Sequence, residues 1–269
     1  MVKRRKRMEN VKIIFPSVIT SFAMTFGFVG ILLAANERIL YASYLVMVAM
    51  IMDGLDGKVA RYTNTASEFG IQYDSLSDMV AFGVAPCVIY ARFYLHQQVT
   101  DTVYYLLPVM FLVCGAIRLA RFNVTASIYG KNSFTGLPIP AAAFAVVSFP
   151  IFYDWVGRYN YFANWGLDVY LTKENFFQAS IVMIIALSLS MISTLRFDTP
   201  GNFWLNKFKY KPFNYVVLAF FILLIPFAHF AVFAVAITFY YLLSMYGRAF
   251  YYRVYKIQKT GPEPVESEA

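Results

Sequence analysis

Residues 52–86 read MDGLDGKVARYTNTASEFGIQYDSLSDMVAFGVAP. Two acidic pairs punctuate this stretch, Asp53 with Asp56 and Asp74 with Asp78, each inside an otherwise apolar helical run. Residues three or four apart share one helix face, so each pair presents its carboxylates in one direction. The connection from Tyr62 to Gly70 is short enough to make the two helices antiparallel neighbours. Four carboxylates then converge across one groove. Ionised acids in membrane helices are costly and mark function, and four together repel unless cations or altered protonation relieve the charge. Of the fifteen acidic residues, only these four lie in the interior of apolar segments.

The composition of the cluster points to the ligand. Neither His nor Cys accompanies the acids, so the donor set is all hard oxygen. That favours Mg²⁺ or Mn²⁺, with Ca²⁺ a further option, over zinc. Two divalent ions would balance four carboxylates, and a two-metal clamp suits displacement at phosphorus. Gly57 and Gly70 remove side-chain bulk where a ligand approaches the backbone. Arg61, two turns beyond Asp53, offers a fixed positive fork for phosphate oxygens.

Outward from this stretch, the chain is of one kind. It has 269 residues, 59% hydrophobic and only 14% charged, with apolar runs near twenty residues long. These properties exclude a soluble domain and predict an all-α, polytopic integral membrane protein. Strongly polar insertions are absent, so residues 1–269 read as a single membrane-embedded domain. The net charge of +8 sits in short loops and at the ends. Topology and anionic lipid headgroups explain it, and no nucleic-acid partner is expected. Cys87 and Cys114 fall inside membrane helices, so no disulfide framework is implied. The basic start, residues 1–11, lacks a cleavage motif of small residues and reads as a retained cytoplasmic segment. Residues 254–269 read as a flexible tail.

About eight transmembrane helices are expected. The first runs from Ile13 to Ala35, the second from Ile39 to Tyr62, the third from Ile71 to Leu95 and the fourth from Val103 to Asn123. The fifth spans Pro138 to Tyr153 and the sixth Phe176 to Thr194. Phe213 to Phe250 is too long for one crossing, and Pro226 to His229 divides it into a seventh and an eighth. With both termini cytoplasmic, nineteen of the 23 Lys and Arg fall on the cytoplasmic side, leaving Arg38, Arg92, Arg158 and Lys173 opposite. This orientation puts the acid cluster at the cytoplasmic face of the cell membrane, roughly 5–15 Å below the helix ends.

A second constellation lies on the same face. Arg118 and Arg121 are spaced i, i+3 at the end of the fourth helix, with Lys131 just beyond. The positive-inside rule and the helix dipole account for basic residues there. Arg118, however, has apolar neighbours and should face protein or a cavity. An anion beside the carboxylates, either a lipid phosphate or a substrate carboxylate, would need such partners. By contrast, Ser67, Ser75 and Ser77 read as capping or packing groups, since no base surrounds them as it would a nucleophile.

The pattern Asp53-x2-Asp56-Gly57-x2-Ala60-Arg61-x8-Gly70-x3-Asp74-x3-Asp78 resembles the full signature of the CDP-alcohol phosphotransferases. The segments CGAIRLARFNV (114–124), FTGLPIPAAA (134–143) and DSLSDMVAFGVAP (74–86) are similar to the branch of that family using serine as acceptor alcohol. The likeness covers roughly residues 10–195, and FPSVITSFAMTFG (15–27) departs from it with Ser17 where Asn is usual. The resemblance implies transfer of a phosphatidyl group from CDP-diacylglycerol to L-serine, releasing CMP, by a homodimer among membrane lipids. It implies that Asp53, Asp56, Asp74 and Asp78 hold a pair of Mg²⁺ or Mn²⁺ ions, and that Asp53, Asp56, Gly57, Ala60, Arg61 and Gly70 take the CDP group. Asp78 is the expected general base on the serine hydroxyl, while Arg118, Arg121 and Lys131 are expected to bind serine or the lipid phosphate. The neighbouring alternative is another acceptor: glycerol 3-phosphate, inositol phosphate or choline. A Mg²⁺ transporter would instead string its carboxylates along a path to both faces.

Overall fold

The computed structural model describes residues 2–62, 67–95, 103–129, 134–159, 172–194, 196–197, 243 and 246–247. The expected seventh and eighth helices, apart from three of these positions, and the tail at 254–269 lie outside the described residues.

The described chain is helical apart from one short ladder. Helix α1 (Val2–Ala35) continues back through the basic segment as one rod, and α2 (Ile39–Tyr62) occupies the expected residues. Between them Glu37 takes a left-handed backbone, φ 62°, and the Arg38 N–H returns to the Leu33 carbonyl at 2.9 Å. This closes the end of α1 and reverses the chain. The next transmembrane rod is assembled from α3 (Glu68–Asp78), a π-helical turn π1 (Met79–Val84), α4 (Ala85–Tyr90) and a second π turn π2 (Ala91–Leu95). Ser67 starts it by accepting the Gly70 N–H at 3.0 Å, with Glu68 in the first turn. The π turns were not legible in the sequence, because residues 79–95 are apolar almost all round and a shift in helical phase does not show there. One of them begins directly after Asp78.

Helix α5 (Val103–Tyr129) extends past the expected end, and α6 (Ile139–Tyr159) and α7 (Lys173–Ile192) complete the described bundle. Five of these segments are long and apolar enough to cross a membrane: 17–35, 39–57, 68–93, 105–124 and 174–192. The apolar stretch of α6, Ile139–Trp155, is shorter, and much of α6 is buried between its neighbours. Strand β1 (Phe134–Thr135) pairs antiparallel with β2 (Arg196–Phe197), a two-residue ladder tying the loop after α5 to the segment after α7.

Small side chains set the packing. Ala42, Ala49, Ala81, Ala85, Ala142 and Ala143 are wholly buried, as expected where helices associate by close backbone approach and not by apolar burial. One close approach is between α1 and π1, where a Cβ on Gly27 would lie 2.5 Å from Ala81 Cα. The outward surface carries Phe22, Phe28, Tyr41, Ile51, Leu76 and Val182, all exposed. Such a surface suits hydrocarbon as solvent and would be an aggregation liability in water. The protein is a polytopic, all-α membrane protein.

Candidate active site

Helix α2 and the rod that begins with α3 both pack against α1, and this brings acids of the two pairs together. One carboxylate oxygen from each of Asp53, Asp56 and Asp74 lies within 4.8 Å of the others. Asp56 is buried at 5% exposure, while Asp53 and Asp74 are half-buried. Asp78, at 8% exposure, stands beside Asp53 at the edge of this triad. Its Oδ1 has no hydrogen-bond partner among the described residues. A concentration of negative charge like this one, screened from water and short of donors, fits a hard divalent cation.

Helix α1 completes the site. Thr20 Oγ1 donates to Asp56 Oδ2 at 2.5 Å, and Ser77 Oγ donates to the Thr20 carbonyl at 3.1 Å. One turn away, the Ser21 and Tyr73 hydroxyls share a hydrogen bond of 2.7 Å. On the other side, Asn123 of α5 donates to Ser75 Oγ at 2.9 Å. Sequence reading passed over Thr20. The signal was present as a polar stripe, Ser17, Thr20 and Ser21, on one face of an otherwise apolar span.

The two glycines differ. A Cβ on Gly57 would meet nothing within 4 Å, so open space adjoins the acids there. At Gly70 it would come within 3.2 Å of Ser67 Oγ, so that glycine serves the helix cap. Ala60 and Arg61 occupy the last turn of α2, with their side chains outside the described residues, as is Lys131 altogether.

The two arginines of α5 separate. Arg118 is buried at 5% exposure, its guanidinium 5.2 Å from the Phe122 ring centroid. Its charge acts on Asp78, which joins it to the acid cluster. Arg121 is engaged at the carboxyl end of α7. It donates to the carbonyls of Met191 at 3.1 Å, Ile192 at 3.0 Å and Ser193 at 3.0 Å, groups that a helix end leaves without intrahelical partners. Gly136 packs into the same corner with φ +83°, where any Cβ would strike the Met191 carbonyl oxygen and the Arg121 guanidinium. The FTGLP loop is pinned there further by the Leu137 N–H on the Ser190 carbonyl at 3.0 Å.

Comparison with known proteins fits this geometry. The family model described as CDP-alcohol phosphatidyltransferase matches residues 13–192, ending at the last residue of α7. The chain is similar to a CDP-diacylglycerol–serine O-phosphatidyltransferase of Helicobacter pylori, 37% identical over 205 residues, covering 76% of this chain and 79% of the relative. An archaetidylserine synthase of Methanothermobacter thermautotrophicus is 32% identical over 189 residues, covering 69% and 70%. A CDP-diacylglycerol–serine O-phosphatidyltransferase of Methanocaldococcus jannaschii is 43% identical over 105 residues, covering 39% and 48%. With a match over that span and these relatives, the chain belongs to the CDP-alcohol phosphatidyltransferase family.

Proposed function

We propose that this protein transfers the phosphatidyl group of CDP-diacylglycerol to the hydroxyl of L-serine, releasing CMP. The observation that carries the reading is the convergence of Asp53, Asp56 and Asp74 within 4.8 Å, with Asp78 alongside. The names of the similar proteins differ in the lipid and share serine, which favours serine over glycerol 3-phosphate, inositol phosphate or choline.

Asp53, Asp56, Asp74 and Asp78 would hold a pair of Mg²⁺ or Mn²⁺ ions. When bound, these ions supply charge compensation for the diphosphate and the departing CMP. Asp53, Asp56, Gly57, Ala60, Arg61 and Gly70 receive the CDP group, with Gly57 beside open space. Asp78 accepts the serine hydroxyl proton. The hydroxyl oxygen bonds to the lipid-side phosphorus while the bond from that phosphorus to CMP breaks, and CMP leaves with the electron pair. An alcohol is a poor nucleophile, so a positioned carboxylate is needed. Arg118, whose charge acts on Asp78, would hold an anionic group there, the serine carboxylate or the lipid phosphate. Arg121 would serve the same anion indirectly, by framing the FTGLP loop. Lys131 joins this basic group by its place in the sequence.

The reaction belongs at the cytoplasmic face of the cell membrane, in a single domain that works as a homodimer. Purified protein in lipid vesicles containing CDP-diacylglycerol tests the reading. Labelled serine should enter lipid with CMP release, and a chelator should stop it until Mg²⁺ or Mn²⁺ is restored. Incorporation of glycerol 3-phosphate, inositol phosphate or choline instead would reassign the acceptor, and chelator-resistant turnover would remove the metal.

A further inference from the structure

We infer that Thr20 is a positioning residue for the metal-binding carboxylates, fixing the rotation of Asp56 and the depth of α1 against the helix that carries Asp74 and Asp78. The inference rests on the metal-dependent reading above and extends the site to a helix with no acid of its own in the cluster.

A hydroxyl has one proton to give. In an apolar helix it ordinarily goes to the carbonyl four residues back. Two hydroxyls of α1 do this: Ser21 donates to the Ser17 carbonyl and Thr25 to the Ser21 carbonyl, both at 2.7 Å. Thr20, between them, donates to Asp56 Oδ2 at 2.5 Å, 36 residues away in the chain. It is buried at 5% exposure, so water does not compete for the bond. The hydroxyl occupies one lone-pair direction of that oxygen and stops the carboxylate turning about its last torsion. A cation then meets oxygens already aimed.

The same residue reaches the opposite helix. Its carbonyl accepts from Ser77 Oγ at 3.1 Å, and Ser77 precedes Asp78 and is itself 3% exposed. Thr20 therefore joins α2 to α3 through two bonds, one from its side chain and one to its backbone. The backbone contact of Gly27 with Ala81, two turns further along α1, holds the same register. Partners behind metal ligands of this kind typically change metal affinity by about 10- to 100-fold when removed.

The test is Mn²⁺ binding to the purified full-length protein without substrate, read from the electron paramagnetic resonance signal of free Mn²⁺, beside a thermal unfolding curve for each variant. Thr20→Val keeps the shape and removes the hydroxyl; Thr20→Ala removes it without a replacement methyl against Asp56; Thr20→Ser keeps it. Weaker binding by about 10- to 100-fold in the valine and alanine variants, with affinity retained in the serine variant, is the expected result. Wild-type affinity in either the valine or the alanine variant overturns the inference while leaving the metal site standing. Equal loss in all three, serine included, overturns it as well, since the hydroxyl would then not be the cause. Failure of the unaltered protein to bind Mn²⁺ overturns both this inference and the metal reading beneath it.

Discussion

A carboxylate near the middle of a membrane helix costs about 3 kcal/mol on insertion scales, and this chain places four in two adjoining helices. Asp56 is partly compensated by the Thr20 hydroxyl at 2.5 Å. Asp78 has a different environment: it is buried, its Oδ1 lacks a hydrogen-bond partner among the described residues, and the Arg118 charge acts on it. An oxygen so placed is suited to receive a proton from substrate. Asp78→Asn keeps the shape and removes the acceptor. Turnover should fall by about 10²- to 10⁴-fold while the protein still assembles and extracts normally. Serine incorporation by purified mutant at a near wild-type rate would take the base assignment away from Asp78.

At the scale of the helices, two contacts control how the site is framed. The first is the crossing of α1 with π1, where a Cβ on Gly27 would lie 2.5 Å from Ala81 Cα. Gly27→Ala should lower stability by about 1–3 kcal/mol through overpacking. Gly54→Ala, at a helix position with nothing within 4 Å, should leave stability unchanged or raise it by up to about 1 kcal/mol through helix propensity. Thermal unfolding in detergent compares the two, and equal losses would mean that close approach at Gly27 is not what the glycine provides. The second contact is Arg121 at the end of α7. Arg121→Ala removes three hydrogen bonds to the carbonyls of residues 191–193 and should destabilise by about 1–3 kcal/mol. Arg121→Lys should recover only part of this, since an ammonium cannot reproduce the planar fork. An unchanged unfolding curve for Arg121→Ala would leave that cluster without structural weight.

For the molecule as a whole, the exposed apolar surface and the five long apolar segments fix a membrane environment, and charge asymmetry predicts its orientation. The expected orientation places Lys3 inside the cell and Asn36, at the turn between α1 and α2, outside. Cysteine accessibility checks this: a membrane-impermeant maleimide applied to intact cells should label Asn36→Cys, and should label Lys3→Cys only after permeabilisation. Native Cys87 and Cys114 give little background, being half-buried and buried within spans. Reversed labelling would put the acid cluster on the outer face, away from a cytoplasmic source of serine. Among the described residues, the Tyr246 hydroxyl meets Ser190 Oγ of α7.

The sequence by itself determined the solvent, the class of fold and the four acids, because apolar run length and helical spacing are local properties. Asp53 and Asp56 three apart, and Asp74 and Asp78 four apart, share helix faces whatever the rest of the chain does. The bounds of α2 and Ser67 as a cap followed from the same local rules, whereas α1 begins well before the expected Ile13 and α5 and α6 run about a turn and a half past their expected ends. Only the tertiary structure decided which distant groups these acids meet. Thr20 of α1 reaches Asp56, and Ser77 reaches Thr20, because α1 lies against both acidic helices at one depth. Arg118 and Arg121, three residues apart, part company because the end of α7 lies against Arg121, while the charge of Arg118 acts on Asp78. Spacing along one helix fixes which way a side chain points; its partner is fixed by the packing of helices far apart in the chain.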